Sequence, residues 1–211
     1  AIENVLRWNE YYKERPGTGT RVSSGGVNII FSDSNTHYRG EENYRRSGEV
    51  DPMRIPKDGF FAHKVMWDGW VDAKKTGIHI VGHWNYKIGT KKNVYVIASG
   101  DKAQLYLNGK SLGFGTKSDG FLFTFKDVNF QAGVLKAVSY DTKGLKVAET
   151  QLKTAGKPAA IKLTKMQHPT GFKADGADLA LVQVEVVDAT GNRCTIALNM
   201  IDFEITGPVE W

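Results

Sequence analysis

The sequence predicts a mainly β protein, in which β-sandwich modules follow a shorter α/β segment. From Ile78 onward, apolar and polar residues alternate with a period of two, which is typical of strands with one buried face. Asn108-Gly109 separates two such runs, and this dipeptide favours the tight turn of a β-hairpin. Before Ile78 the pattern is helix, buried strand, long polar loop and helix, which indicates an α/β arrangement.

In the α/β segment, residues 1–15 place apolar side chains at helical spacing and end at Pro16-Gly17. Residues 27–31 form a continuous apolar run, as expected of a strand buried on both faces. A second helix is predicted over about 57–67. The polar stretch 32–56 between them is long, and loops of this length often line a site.

The alternating part of the chain predicts nine strands. They are residues 78–83, 94–99, 104–107, 122–125, 134–140, 146–152, 160–164, 179–188 and 196–206. Gly156-Lys157-Pro158 indicates a linker. We therefore divide the chain into 1–75, 76–155 and 156–211. Three strands cannot close a seven-stranded sandwich of the immunoglobulin type, so we expect the last module to be truncated.

Composition excludes several classes of function. The 28 basic and 23 acidic residues are spread along the chain, which does not favour a nucleic-acid partner. We expect no membrane partner, since no stretch approaches the roughly 20 apolar residues that a spanning helix needs. The single cysteine, Cys194, rules out an internal disulfide and a multi-thiolate metal site, and we expect it to be buried. No cofactor motif is present. The start at Ala1 has no initiator Met or signal pattern, so we expect the chain to begin inside a longer protein.

Several ordered motifs support a family resemblance. They are RVSSGGVNIIFSDSNTH at 21–37, IPKDGFFAHKVMW at 55–67, HIVGHWN at 79–85, NVYVIAS at 93–99, QLYLNGKSLG at 104–113 and AGKPAAI at 155–161. In this order they resemble bacterial glycoside hydrolases of family 2, of the β-galactosidase type. The resemblance implies that 1–75 is the end of a catalytic (β/α) barrel. It also implies that 76–155 is a β-sandwich and that 156–211 begins an immunoglobulin-like module.

The resemblance implies a retaining mechanism, with two carboxylates about 5 Å apart. In the family these glutamates follow barrel strands four and seven, whereas residues 27–31 resemble strand eight. Both glutamates would therefore precede Ala1, so we assign no catalytic residue here and expect the fragment to be inactive. Glu10 follows an asparagine, as the family's acid/base residue does, but it lies in the middle of a helix, so a solvated position is the better interpretation.

Barrel enzymes build their sites at the carboxyl ends of the strands. The candidate substrate-binding residues are therefore Asp33, Asn35 and His37, just beyond residues 27–31. An alternative of equal weight is that Asp33 and Asn35 organise the turn through hydrogen bonds to the backbone.

Other polar and aromatic clusters have competing interpretations. The arginines could meet an acidic sugar, but local pairing with nearby glutamates is favoured: Arg39, Arg45 and Arg46 with Glu41, Glu42 and Glu49. His79 and His83 would point to the same side of a strand, and a structural role is favoured over a metal site. The aromatic group at the junction favours packing between modules over a sugar-stacking platform: Trp67, Trp70, Trp84 and Tyr86.

We therefore expect the parent protein to hydrolyse β-linked terminal sugars, with galactosides first among them, and to be periplasmic or secreted in a polysaccharide-degrading bacterium. The partner would be a carbohydrate substrate. The rivals are a free-standing carbohydrate-binding or scaffold module and an immunoglobulin-like adhesion protein. Neither explains a lone buried strand with two helices. An open piece of barrel exposes strand edges, so we expect residues 1–75 to be loosely ordered or buried by swapping or self-association.

Overall fold

A computed structural model describes residues 1–14, 30–34, 46–72, 74–173 and 175–207, with side chains of residues 11–14 left out of the description. The chain divides into two compact units, Ala1–Leu152 and Lys153–Trp211. Strands outnumber helices in the described residues, so the predicted mainly β class is confirmed. The boundaries that we predicted at 75/76 and 155/156 stay predictions. Most of the predicted strand 27–31 lies outside the described residues.

Both helices occur close to their predicted positions, and the strands follow the period-two pattern. The elements are α1 (Ile2–Glu14), α2 (Asp58–Val71), β1 (Ile78–Ile80), β2 (Lys91–Ala98), β3 (Lys102–Leu107), β4 (Lys110–Phe114), β5 (Thr116–Ser118), β6 (Leu122–Asn129), β7 (Val134–Tyr140), β8 (Lys146–Lys153), β9 (Ala160–Met166) and β10 (Leu181–Val187).

The first unit contains a β-sandwich of two four-stranded antiparallel sheets, ordered β1-β2-β6-β5 and β4-β3-β7-β8. Along β3, Ala103, Leu105 and Leu107 are buried while the residues between them are more exposed. Trp84 and Phe123 are the largest buried side chains of this core. Burial of a large apolar side chain contributes about 1.5–3 kcal/mol, so the alternation itself stabilises the sandwich.

The two helices cover the outer face of the first sheet. Val5 of α1 and Met66 of α2 are buried in one cluster with Ile97 of β2 and Leu122 of β6. The neighbouring Val96 points the other way, into the sandwich core. This part of the sheet is therefore buried on both faces, which explains the unbroken apolar run in β2.

The hairpin predicted at Asn108-Gly109 is confirmed. Asn108 has a φ of 50° and Gly109 a φ of 81°, and a type I′ hairpin turn needs positive φ at both of its central residues. Asn108 also ties the hairpin to the next turn, because its side chain donates to the carbonyl of Ala132 and accepts from the backbone N–H of Val134.

The second unit contains a two-stranded antiparallel sheet, in which β9 pairs with β10 from Ala160↔Val187 to Met166↔Leu181. The predicted strand 196–206 is wrong, since those residues form no strand. Leu198 and Met200 are 99% and 91% exposed. Alternating apolar residues become a strand only where they can pair and pack, and the described residues provide no neighbouring strand for them.

Asp188 organises the turn that follows β10. Its carboxylate accepts hydrogen bonds from the backbone N–H groups of Gly156, Thr190 and Asn192, at 2.8, 2.9 and 2.9 Å. These bonds hold the pKa of Asp188 well below its usual range, and the bond from Gly156 has the largest effect. Cys194 is buried nearby, as expected, with its Sγ 3.7 Å from the carbonyl oxygen of Gly156.

Candidate functional site

The predicted site region consists of two short segments, 30–34 and 46–57, that lie side by side. Ser32 and Val50 form a parallel bridge, and the backbone N–H of Asp33 donates to the carbonyl of Val50 at 2.9 Å. The Ser32 hydroxyl donates to the carbonyl of Asp51 at 3.0 Å. The backbone beyond residue 31 is therefore held in place by the segment that returns from the long loop.

Asp33 is the centre of this arrangement. Lys57 Nζ lies 2.9 Å from each carboxylate oxygen, and the backbone N–H of Gly48 donates to Oδ1 at 2.7 Å. Lys57 also donates to the carbonyl of Arg46. Asp33 thus joins the two segments, and its two predicted roles, organising the local turn and contacting a sugar, stay predictions.

The other candidates cannot be placed in this way. Asn35 and His37 lie outside the described residues, as do Arg39 and Arg45. Glu10 is exposed on α1.

A buried carboxylate and imidazole pair, Glu49 with His63, was missed by sequence reasoning. Asn4 Nδ2 donates to Glu49 Oε1 at 2.9 Å, and His63 Nδ1 lies 3.0 Å from Glu49 Oε2. That second contact is not aligned as a hydrogen bond, and it is an ion pair only when His63 is protonated. His63 Nε2 is buried without a hydrogen-bond partner among the described residues. The available signal was a histidine on the packing face of the predicted second helix.

Gly59 makes this pair possible. A Cβ atom at Gly59 would lie 2.4 Å from Glu49 Oε2, so any larger residue would displace the carboxylate. The glycine after the first residue of α2 is therefore explained by close approach of the glutamate, rather than by helix propensity.

An aromatic pocket of about 380 Å³ lies beside this pair. Its lining residues are Trp8, Phe31, Phe60, Trp67, Glu49, His63 and Lys64. The Trp8 ring meets His63 and Trp67 edge-on, with centroids 5.9 and 5.6 Å apart. Aromatic walls with a carboxylate can hold either a sugar ring or another part of the protein core.

Asp58 connects the start of α2 to residues 79–85, one of the segments that resemble family 2 glycoside hydrolases. Its Oδ1 lies 2.7 Å from His79 Nε2, and its Oδ2 accepts from the backbone N–H of Gly82 at 2.9 Å. Burial alone would raise the pKa of Asp58, but the bonds from His79 and Gly82 outweigh it and hold that pKa below its ordinary value. The Phe61 ring stacks on His79 at 4.7 Å.

His83 lies in a different environment. Its Nδ1 accepts from the backbone N–H of Asn85, and its ring stacks on Tyr86 at 4.5 Å. Burial, with the nearby charge of Lys92, lowers the pKa of His83. The two histidines therefore make separate structural contacts, and no cluster of three or more metal-ligating side chains occurs in the described ranges.

Two tryptophans of the junction, Trp70 and Trp84, are packing residues. Trp84 is buried in the sandwich core and donates its indole N–H to the carbonyl of Gln131 at 3.0 Å. Trp70 meets Phe121 edge-on at 5.3 Å, between α2 and the first sheet. Within the described residues, no helix has the length and apolar character to cross a membrane.

Comparisons with known proteins identify the family of this chain. Residues 161–211 match the model "Glycoside hydrolase family 2 C-terminal domain 5", and residues 89–148 match "Domain of unknown function (DUF4982)". A β-glucuronidase of Formosa agariphila is 45% identical over 206 residues, which is 97% of this chain and 20% of the relative. A β-galactosidase of Bacteroides ovatus is 35% identical over 161 residues, 76% of this chain and 18% of the relative.

Solved structures agree with the sequence relatives. A β-glucuronidase from glycoside hydrolase family 2 superposes with a TM-score of 0.78 at 39% identity, over 92% of this chain and 20% of that one. A family 2 member from Bacteroides cellulosilyticus superposes with a TM-score of 0.65 at 27% identity, over 74% of this chain and 23% of that one. The chain thus spans about a fifth of the length of its relatives. The resemblance seen in its motifs is confirmed, and the chain belongs to glycoside hydrolase family 2.

Proposed function

We propose that this chain is part of a retaining glycoside hydrolase that acts on β-glucuronides. The observation that carries the proposal is the relative named a β-glucuronidase, which is 45% identical over 97% of the chain. The relative named a β-galactosidase, at 35% over 76%, supports the galactoside that we expected first, and this remains the second candidate.

In such an enzyme one carboxylate attacks the sugar to form a covalent intermediate, while the other acts first as acid and then as base. We assign both carboxylates to the part of the parent protein outside this chain. The role of the described residues is then positional. The Asp33–Lys57 pair holds the loop after residue 31, and Glu49 with Asp58 anchors the start of α2 to its neighbours.

The proposal is tested by hydrolysis of matched nitrophenyl β-glucuronide and β-galactoside. The 211-residue chain is assayed beside a longer chain that also carries the catalytic barrel of the parent protein. We expect the longer chain to show the larger kcat/KM on the glucuronide and the short chain to release no nitrophenol. A larger kcat/KM on the galactoside would favour the second candidate. Turnover by the short chain would place a catalytic carboxylate within residues 1–211 and overturn the assignment.

A further inference from the structure

One end of the sandwich carries a cleft of about 560 Å³ between β4 and the end of β6, a size within the usual range for small-molecule sites. Its floor includes the buried core side chains of Leu107, Phe125 and Val128. Its wall includes Leu112 of β4, which is exposed, whereas the Phe114 ring packs edge-on against Tyr140 at 6.2 Å on the outer face of the sheet. The cleft thus has an apolar floor although it is open to solvent.

Backbone irregularities flank this cleft on both sides. The register of β2 against β6 shifts between Lys92 and Val94, and that of β3 against β4 shifts between Gln104 and Tyr106. On the β6 side, Asp127 has a φ of 56°, and its N–H donates to Asn93 Oδ1 at 3.1 Å. Such bulges bend a strand and redirect its side chains, and they recur beside binding sites. The irregular strands therefore shape the opening of the cleft.

The polar lining of the cleft carries an excess of positive charge. Lys110 and Lys126 form no ion pair with any described residue, whereas the carboxylate of Asp127 lies 3.5 Å from Lys91 and is thereby compensated. The side-chain amides of Asn129 and Gln131 make no hydrogen bond to described residues. A ligand with an apolar face, hydroxyl groups and a negative charge would match this lining.

We propose that the cleft is an accessory binding site for acidic oligosaccharides, in which the sugar rings carry carboxylates. The C–H face of a pyranose packs on Leu112 and the apolar floor, the hydroxyls meet the amides, and the carboxylate meets Lys110 or Lys126. A neutral sugar would leave both cations unused. The choice of a sugar ligand rests on the proposed function, but the site itself takes no part in bond cleavage.

The test is calorimetric titration of the 211-residue chain with a β-1,4-linked hexamer of glucuronic acid. Cellohexaose is the matched neutral ligand, because it differs only in carrying a hydroxymethyl group in place of the carboxylate on each ring. We expect saturable binding of the acidic hexamer alone, weakened by added salt. Exposed ion pairs contribute about 0.2–1 kcal/mol, so Lys126→Gln should weaken binding roughly 1.4- to fivefold. Leu112→Ala should weaken it by a similar factor.

Lys143→Gln is the matched control, because Lys143 follows β7 at the opposite end of the sheet, beyond the Lys102↔Tyr140 pair. It should leave binding unchanged. Equal binding of cellohexaose, or equal losses in Lys126→Gln and Lys143→Gln, would overturn the proposal. If the wild-type chain does not bind the acidic hexamer, the proposal is overturned, whichever substrate the longer chain hydrolyses. Binding by the cleft without glucuronide hydrolysis by the longer chain would overturn only the proposed function.

Discussion

At the scale of single residues, Asp58 shows how one side chain joins separate parts of the first unit. It opens α2, bonds His79 of β1 and accepts the N–H of Gly82 beyond that strand. The sequence placed Asp58 at a helix start and His79 in a strand, but their contact spans 21 residues and has no local signature. Asp33 is similar, since its contacts with Gly48 and Lys57 span 15 and 24 residues.

Asp58→Asn should lower the free energy of unfolding by about 1 kcal/mol at pH 7, because it removes the charge from two partly exposed hydrogen bonds. The pKa of Asp58 is depressed in the fold, so its stabilising contribution is present above its ordinary pKa of about 4. That contribution is lost as the pH falls through the lowered folded value. Urea unfolding at pH 7, 5 and 3 should therefore show the two proteins converging toward acid.

Asp68→Asn is the matched control for this prediction. Asp68 pairs with Lys64 on the solvent side of the same helix, and an exposed i,i+4 pair of this kind contributes little to stability. A gap between wild type and Asp58→Asn that widened toward pH 3 would contradict the linkage.

At the scale of elements, local sequence patterns predicted the helices and strands that residue spacing and turn residues determine. Helices α1 and α2 and the strands of the sandwich lie close to their predicted positions because spacing and turn residues specify them directly. The short strand β5 was not predicted, since three exposed residues carry no alternation. Residues 196–206 carry the alternation but have no partner strand among the described residues, so the pattern alone gave a wrong strand.

The β3–β4 hairpin allows the contribution of one turn side chain to be isolated. Asn108→Gly keeps the positive φ but removes two side-chain hydrogen bonds, so we expect a loss of about 1–2 kcal/mol in the free energy of unfolding. Asp119→Gly is the control, because Asp119 also has positive φ, at 48°, but forms no side-chain hydrogen bond to described residues. Chemical denaturation should separate the two variants. Equal losses would mean that the Asn108 bonds contribute nothing.

At the scale of the whole molecule, the two units differ in how well they bury apolar surface. The first has a sandwich core and a second cluster under its helices. In the second, one face of the two-stranded sheet carries Ile161, Leu163 and Val182, all exposed. A two-stranded sheet is marginal in water, and exposed apolar faces with free edges recruit partners. Self-association through residues 1–75 stays a prediction, and the β9–β10 face is a further place for it.

We expect the 211-residue chain to self-associate as its concentration rises, through the apolar face of β9 and β10. Leu163, 65% exposed, lies at the centre of that face, whereas the exposed Thr164 points to the opposite face of the same strand. Leu163→Lys should therefore shift sedimentation toward the monomer, because pairing two such faces would bury the added charges. Thr164→Lys adds the same charge one residue away and should leave the concentration dependence as it is in the wild type. Equal effects of both variants would mean that net charge, and not this apolar face, governs association.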